Sequence, residues 1–290
     1  MSLTEKLGKL TVAHVALILI IGTAIPLVYP LMIPFPVDAN VQAAFDVIDA
    51  LPEGSVILWH TETSLAQMGD VGVGTIAIQK TIFSRSQTLK LIMWSSSVEG
   101  AEAFAVALAE SRPEDFGKEY GVDYVIFPYL AGGLEVTHAA VSSGIRTAYS
   151  EDYSGTPIDQ IQIMDGIYDY TDVDLLITQN GLTDSCDPAL RQWTYKYGTP
   201  TILNPMSSGL SYAAQYFPDV ALGVLGGAVG GSQLELLTGF PGKGVKYNDA
   251  KNLTYLITDI LIVTGTALYW YRRLSGLETV HLMRDRDYGG

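Results

Sequence analysis

Ser55-Val-Ile-Leu-Trp-His60 is nearly continuous in apolar character, which a β-strand must be when both of its faces are covered. Four later runs share that character: Leu89-Lys-Leu-Ile-Met-Trp94, Val122-Asp-Tyr-Val-Ile-Phe127, Val173-Asp-Leu-Leu-Ile-Thr178 and Pro200-Thr-Ile-Leu203. Between and around them, stretches with helical spacing of apolar residues recur at Val41–Leu51, Gly74–Ser86, Ser97–Glu110, Leu134–Ser143, Pro188–Tyr197 and Ser208–Tyr216. Alternation of strand and helix predicts an α/β domain with a doubly wound, mainly parallel, Rossmann-like sheet. Residues 150–170, richer in Asp, Tyr and Gly, are expected to form an irregular excursion with a short helix around Ile158–Met164.

On either side of this domain lie apolar segments. Residues 11–33 contain no acid, Lys or Arg and exceed the ~20 residues that cross a bilayer, so they are expected to form a transmembrane helix. An uncleaved anchor is expected rather than a cleaved secretory signal, because no small-x-small site precedes a polar start. The second expected span, 252–271, ends in Tyr269-Trp270-Tyr271 followed at once by Arg272 and Arg273, an aromatic belt and a basic stop. Tails 1–10 and 272–290 then enclose an α/β domain of residues 34–251.

With Lys6 and Lys9 before the first span and Arg272, Arg273, Arg284 and Arg286 after the second, both tails are expected in the cytoplasm and the domain outside it. Lys243, Lys246 and Lys251 reduce that contrast from the domain side. The whole chain carries a net charge of −14, and residues 31–251 hold 26 acids against 11 Lys and Arg. So acidic a surface repels nucleic acid, which is excluded as a partner; the expected partners are the bilayer, further copies of the chain or other membrane proteins. The single Cys186 forms no internal disulfide and reads as a small buried residue near a helix start.

In parallel α/β sheets, ligands sit beyond the carboxyl ends of the strands. That rule selects His60, Glu62, Ser95, Ser96, Ser97, Asn180, Asn204 and Ser207 as a candidate crevice. The Ser95–Ser97 run could hold an anion at a helix start, but plain N-capping by Ser97 is the simpler reading, and Ser207-Ser208 reads the same way. His60 with a serine and Glu62 has the composition of a hydrolytic triad, although no Gly-x-Ser-x-Gly elbow is present. Four scattered histidines (His14, His60, His138, His281) and one cysteine have no metal-ligand spacing, so neither metal nor cofactor is expected.

Two glycine clusters remain. Gly69-Asp-Val-Gly-Val-Gly74-Thr75, expected just before a helix, loosely resembles a dinucleotide loop but is not Gly-x-Gly-x-x-Gly and has no Walker lysine. In Gly223-Val-Leu-Gly-Gly-Ala-Val-Gly-Gly231, residues Gly226, Gly227, Gly230 and Gly231 are expected to let a neighbouring helix or subunit approach closely rather than cradle a phosphate. Asp259 is an acid inside the second span, where it must either reach the outer interface or sit in a subunit contact.

Phe45-Asp-Val-Ile-Asp-Ala50 and Asp249-Ala-Lys-Asn-Leu253 through Ile260-Leu-Ile-Val-Thr-Gly265 carry a resemblance to an uncharacterised bacterial and archaeal family of membrane-anchored α/β domain proteins. The resemblance implies the order of anchor, domain and terminal anchor, and supplies no activity and no catalytic residue. The function expected from these readings is non-enzymatic: a membrane-anchored module for homo-oligomeric assembly or partner binding. The alternative is a membrane-tethered small-molecule-binding or hydrolytic enzyme that uses the strand-end crevice.

Overall fold

A computed structural model describes residues 11–275 of the chain, which divide into two compact units. Unit Pro34–Val245 is the α/β domain. It begins with α2 (Ala39–Ala50), following the N-terminal apolar helix α1 (Val12–Val28), and continues β1 (Val56–Thr61), α3 (Met68–Phe83), β2 (Lys90–Ser95), α4 (Gly100–Ser111), β3 (Tyr124–Tyr129) and α5 (Gly133–Ser143). After an irregular stretch come β4 (Leu175–Asn180), α6 (Asp187–Ala189, running on as a π-helical stretch, Leu190–Tyr195), β5 (Thr201–Pro205), β6 (Gly223–Val224) and α7 (Gly227–Thr238). A last helix, α8, covers Lys243–Leu274.

All six strands are parallel in the order β3-β2-β1-β4-β5-β6, so the winding reverses between β1 and β4. Alternate residues feed opposite layers, as period two demands. Ile57, Trp59, Leu91, Met93, Leu175 and Ile177 pack with α2, α3, α4 and α7 residues such as Ile48, Ile78, Phe104 and Leu234. Leu58, Ile92, Trp94, Val125, Phe127 and Leu176 pack on the other face with Val141, Ile145, Ile163, Met164 and Trp193. The Rossmann-like reading therefore holds, with helices on both faces.

Local departures have identifiable causes. Strand β6 has no counterpart in the sequence reading because two residues carry no period; its Gly223 lies where a Cβ would come within 2.5 Å of Ala44 Cα. The short helix expected around Ile158–Met164 is instead two 3₁₀ turns, Ile158–Gln160 and Gln162–Met164. Gly69–Thr75 does not precede a helix but lies within the first turns of α3, where the glycines allow close packing: a Cβ on Gly74 would stand 2.9 Å from Asn204 Oδ1.

The other unit contains, among the described residues, 11–33 and 246–275. The expectation of two spanning helices is met here for one. One helix among the described residues, α8, is long and apolar enough to cross a membrane. Helix α1 has 17 residues and is about 25 Å long at 1.5 Å per residue, against an apolar core of roughly 30 Å. It stops at Val28 because Pro30 disfavours helical backbone at Tyr29, which is extended at φ −128°, ψ 115°.

Within this unit the Asp249 carboxylate accepts the N–H groups of Leu31 (2.8 Å), Met32 (2.9 Å) and Ile33 (2.9 Å), the segment that leaves α1. Thr23 and Thr254 share a hydroxyl hydrogen bond of 2.8 Å, and Gly22 lies against Ile257. Asp259 is on an exposed face of α8. Arg272 and Arg273 close that helix, while Lys6, Lys9, His281, Arg284 and Arg286 lie outside the described residues.

Candidate functional site at the carboxyl edge of the sheet

Three serines end β2, and the structure separates their roles. Ser95 is wholly buried; its hydroxyl donates toward Ser97 O (2.7 Å) and Thr61 O (3.0 Å) and accepts Ser97 N–H at 2.9 Å. Helix α4 starts only at Gly100, with Glu99 in the cap position, so the expected N-cap role of Ser97 is corrected. A glycine opens α4 because a Cβ there would collide with Ser95 Oγ.

Ser96 Oγ lies 2.8 Å from His60 Nε2, the one serine–histidine pair among the described residues that the predicted triad composition produces. The other ring nitrogen of His60 faces the Thr178 hydroxyl at 3.3 Å rather than a carboxylate. Both His60 and His138 are wholly buried, with ring centroids 4.2 Å apart, and Trp94 stands against each. Trp193 Nε1–H donates to His138 Nδ1 at 3.2 Å. Burial first, then the neighbouring His138, holds His60 well below the usual imidazole range, and burial drives His138 down to about 3. Both rings are therefore neutral at pH 7, and His60 is a weak base.

Glu62 points elsewhere. Its Oε1 accepts the N–H groups of Gly181 (2.8 Å) and Leu182 (3.0 Å) in the loop after β4. Burial raises its pKa, opposed by the Ser185 hydroxyl and those two N–H groups. Gln67 donates to Gly181 O at 3.2 Å from the same side. This is the point where the winding reverses, the place at which such sheets hold a ligand.

The same pattern repeats along the edge. Asp70 on α3 accepts Ser207 N–H (2.7 Å), the Ser207 hydroxyl (2.6 Å) and Ala228 N–H (3.2 Å) at the start of α7, and Glu99 accepts Leu65 N–H at 2.8 Å. Backbone donors at loops and helix starts are what a phosphate uses in related architectures. Here carboxylates of the chain itself take them.

Beneath these loops the crevice is filled by neutral side chains. Gln179 accepts from Thr75 Oγ1 (2.6 Å) and Asn204 Nδ2 (3.1 Å) and donates to Thr61 Oγ1 (3.2 Å) and Thr63 Oγ1 (2.8 Å); all five residues are buried. Asn180 donates to Thr178 Oγ1 at 3.2 Å. The candidate residues thus fall into five groups: His60 with Ser96 and, through Thr178, Asn180; Glu62 with the 181–182 loop; Asn204 in the amide–hydroxyl network; Ser95 with Ser97; and Ser207 with Asp70.

Gly226, Gly227, Gly230 and Gly231 are buried inside the domain. A Cβ on Gly231 would stand 2.7 Å from Val73 C, one on Gly230 3.1 Å from Leu225 C, and one on Gly226 2.5 Å from Leu210 Cδ2. Gly227 adopts φ +49°, with Asp70 Oδ1 2.5 Å from its Cβ position. The close approach they permit is thus with α3 and the adjoining loops of the same domain. Cys186 is buried before α6, its thiol pushed up to about 12 by burial and by Asp187.

Sequence reasoning missed Asp70, Glu99 and Thr178. An acid within hydrogen-bonding reach of a remote backbone N–H leaves no local pattern, and strand-end polar residues carry no spacing that separates network from site. Compared with known proteins, the sequence matches no family model and no curated protein.

Proposed function

We propose that the chain is a membrane-anchored α/β module that acts by assembly with copies of itself or by binding other membrane proteins, and not by catalysis. The observation that carries this reading is the occupation of the strand-end donors by Glu62, Asp70 and Glu99, which leaves an incoming anion neither N–H groups nor a favourable potential. Assembly draws support from Asp259, an acid exposed on an apolar helix, because an uncovered acid in lipid is costly and a protein contact would shield it. In this proposal α1 with its exit segment also crosses the membrane, the domain is extracytoplasmic, and Arg272 and Arg273 hold the C-terminal end in the cytoplasm.

The test is the mass of the purified chain in mild detergent, with Asp259→Leu beside the wild type. An oligomer is expected whose size Asp259→Leu changes, whereas a monomer carrying a tightly held small molecule would overturn the reading. Protease accessibility in intact cells tests the topology, and protection of the domain until lysis would reverse it.

One contact favours a second reading. Ser96 Oγ at 2.8 Å from His60 Nε2 is a nucleophile–base distance, and it supports a membrane-tethered hydrolase in which Ser96 is the nucleophile. Covalent labelling of Ser96 separates the two readings.

A further inference from the structure

Three of the eleven Lys and Arg of residues 31–251 fall within nine positions of α8, as Lys243, Lys246 and Lys251, beside only one of the 26 acids, Asp249. That acid is buried and is taken by the N–H groups of Leu31, Met32 and Ile33. Lys243 pairs with Glu110. Among the described residues, Lys246 and Lys251 make no ion pair and no side-chain hydrogen bond, so two ammonium groups stand without a counter-charge.

Tyr247, Lys251 and Tyr255 recur at i+4 spacing and share one stripe of α8, with both phenols exposed. Gly22 lies against Ile257, Thr23 bonds Thr254 and Leu31 bonds Asp249, so α1 and its exit segment run antiparallel to α8 and end beside the turns that carry Lys246 and Lys251. Tyr29, Leu31 and Met32 are exposed at that end. Helix α8 rises about 30 Å from Lys251 to Tyr271 at 1.5 Å per residue, the thickness of a bilayer's apolar core. With the aromatic cluster 269–271 at one headgroup layer, Lys251 therefore stands at the other. Phenols and lysines with long aliphatic stems are the side chains favoured at that depth.

We propose that Lys246 and Lys251, with the phenols of Tyr247 and Tyr255, bind the headgroup of an anionic phospholipid whose acyl chains lie along α8. Two unpaired ammonium groups require an anion, and the exposed apolar residues beside them suit one that carries acyl chains. A zwitterionic headgroup brings its own ammonium next to the phosphate, whereas a glycerol headgroup leaves the phosphate charge uncompensated and adds hydroxyls for the two phenols. Lys246 and Lys251 are about 7.5 Å apart along the helix axis, within the ~8 Å over which salt screens a charge, so both act on one headgroup region. Each lysine at an anionic surface contributes about fivefold to binding. The proposal rests on the membrane reading of α8 and is independent of oligomer formation.

Native mass spectrometry of the purified full chain in mild detergent, titrated with dioleoylphosphatidylglycerol, reads the bound lipid directly. Saturable binding is expected, at least fivefold tighter than that of dioleoylphosphatidylcholine and not displaced by inorganic phosphate at the same ionic strength. Lys246→Gln with Lys251→Gln should weaken phosphatidylglycerol binding at least tenfold, and Lys246→Arg with Lys251→Arg should retain it. Lys90→Gln with Lys196→Gln, which removes the same charge from the α/β domain, should leave it unchanged. Equal affinity for the two lipids, displacement by inorganic phosphate, undiminished binding in the α8 glutamine pair or an equal loss in the domain pair overturns the proposal. Carbonate extraction of cell membranes separates the two levels: release of the chain would overturn the membrane reading and this proposal together, whereas retention with equal binding of the two lipids overturns this proposal alone.

Discussion

The Glu62 carboxylate accepts the Gly181 N–H at 2.8 Å across the point where the winding of the sheet reverses, so a side chain stands where this architecture usually receives a ligand. Removing it should expose both what it stabilises and what it excludes. Glu62→Ala leaves the Gly181 and Leu182 N–H groups without their partner and should cost about 1–3 kcal/mol. At fixed ionic strength, inorganic phosphate should raise the melting midpoint of the variant more than that of the wild type. Equal responses in the two proteins would show that the carboxylate does not occupy an anion position.

Protonation of the histidine pair is a second lever. The pKa values of His60 and His138 are lowered by folding, His138 to about 3, so the unfolded chain binds protons first as pH falls. The stability the His138 ring contributes is present above pH 6.5 and is lost as pH falls from there toward about 3, at about 1.4 kcal/mol per pH unit, and His60 acts in the same direction. Chemical denaturation at pH 7, 6 and 5 should show that slope, and His138→Gln should reduce it. A midpoint that does not move between pH 7 and 5 would contradict the neutral buried pair.

The glycines of α7 should rank by the space around them. Gly231→Ala meets backbone atoms of α3, 2.7 Å from Val73 C and closer still to Gly74 N, and overpacking of this kind costs about 1–3 kcal/mol. Gly230→Ala has 3.1 Å to its nearest neighbour and should cost less, while Gly265→Ala has no atom within 4 Å and should be neutral. Thermal melts of the three variants check the order, and a neutral Gly231→Ala would remove the close packing of α3 on α7.

How far the fold was legible follows from what has a period. Runs such as Leu89–Trp94 declared the five longer strands because strands covered on both faces are apolar throughout. Two-residue β6 could not be read, and α1 was overread because an apolar run gives composition, whereas Pro30 sets where the helix stops. In the crevice, strand ends identified His60, Glu62 and Asn204, but not which way each side chain turns. Glu62 had two destinations open to it, an imidazole or an amide loop, and only the folded chain places Gly181 within its reach.

Asp249 organises the exit from α1 by holding three successive N–H groups, those of Leu31, Met32 and Ile33. Asp249→Ala should release that segment, and limited proteolysis in detergent should cut within residues 29–37 at least several-fold faster than in the wild type. Asp249→Asn, which retains one acceptor oxygen, should fall between. Unchanged cleavage in Asp249→Ala would show that the carboxylate does not hold the segment.

The final prediction concerns Ser96. A serine at 2.8 Å from an imidazole becomes a nucleophile when the ring is basic, is fixed in orientation by an acid and has a donor pair ready for the oxyanion. Here the Nδ1 partner is the Thr178 hydroxyl at 3.3 Å, burial lowers the basicity of His60, and the nearest candidate acid from the sequence, Glu62, is committed to Gly181 and Leu182. A fluorophosphonate probe should therefore leave Ser96 unmodified at pH 7 and pH 9, as read by intact-protein mass. Stoichiometric modification that disappears in Ser96→Ala and falls at least a hundredfold in His60→Gln would establish the hydrolytic reading and displace the non-catalytic one.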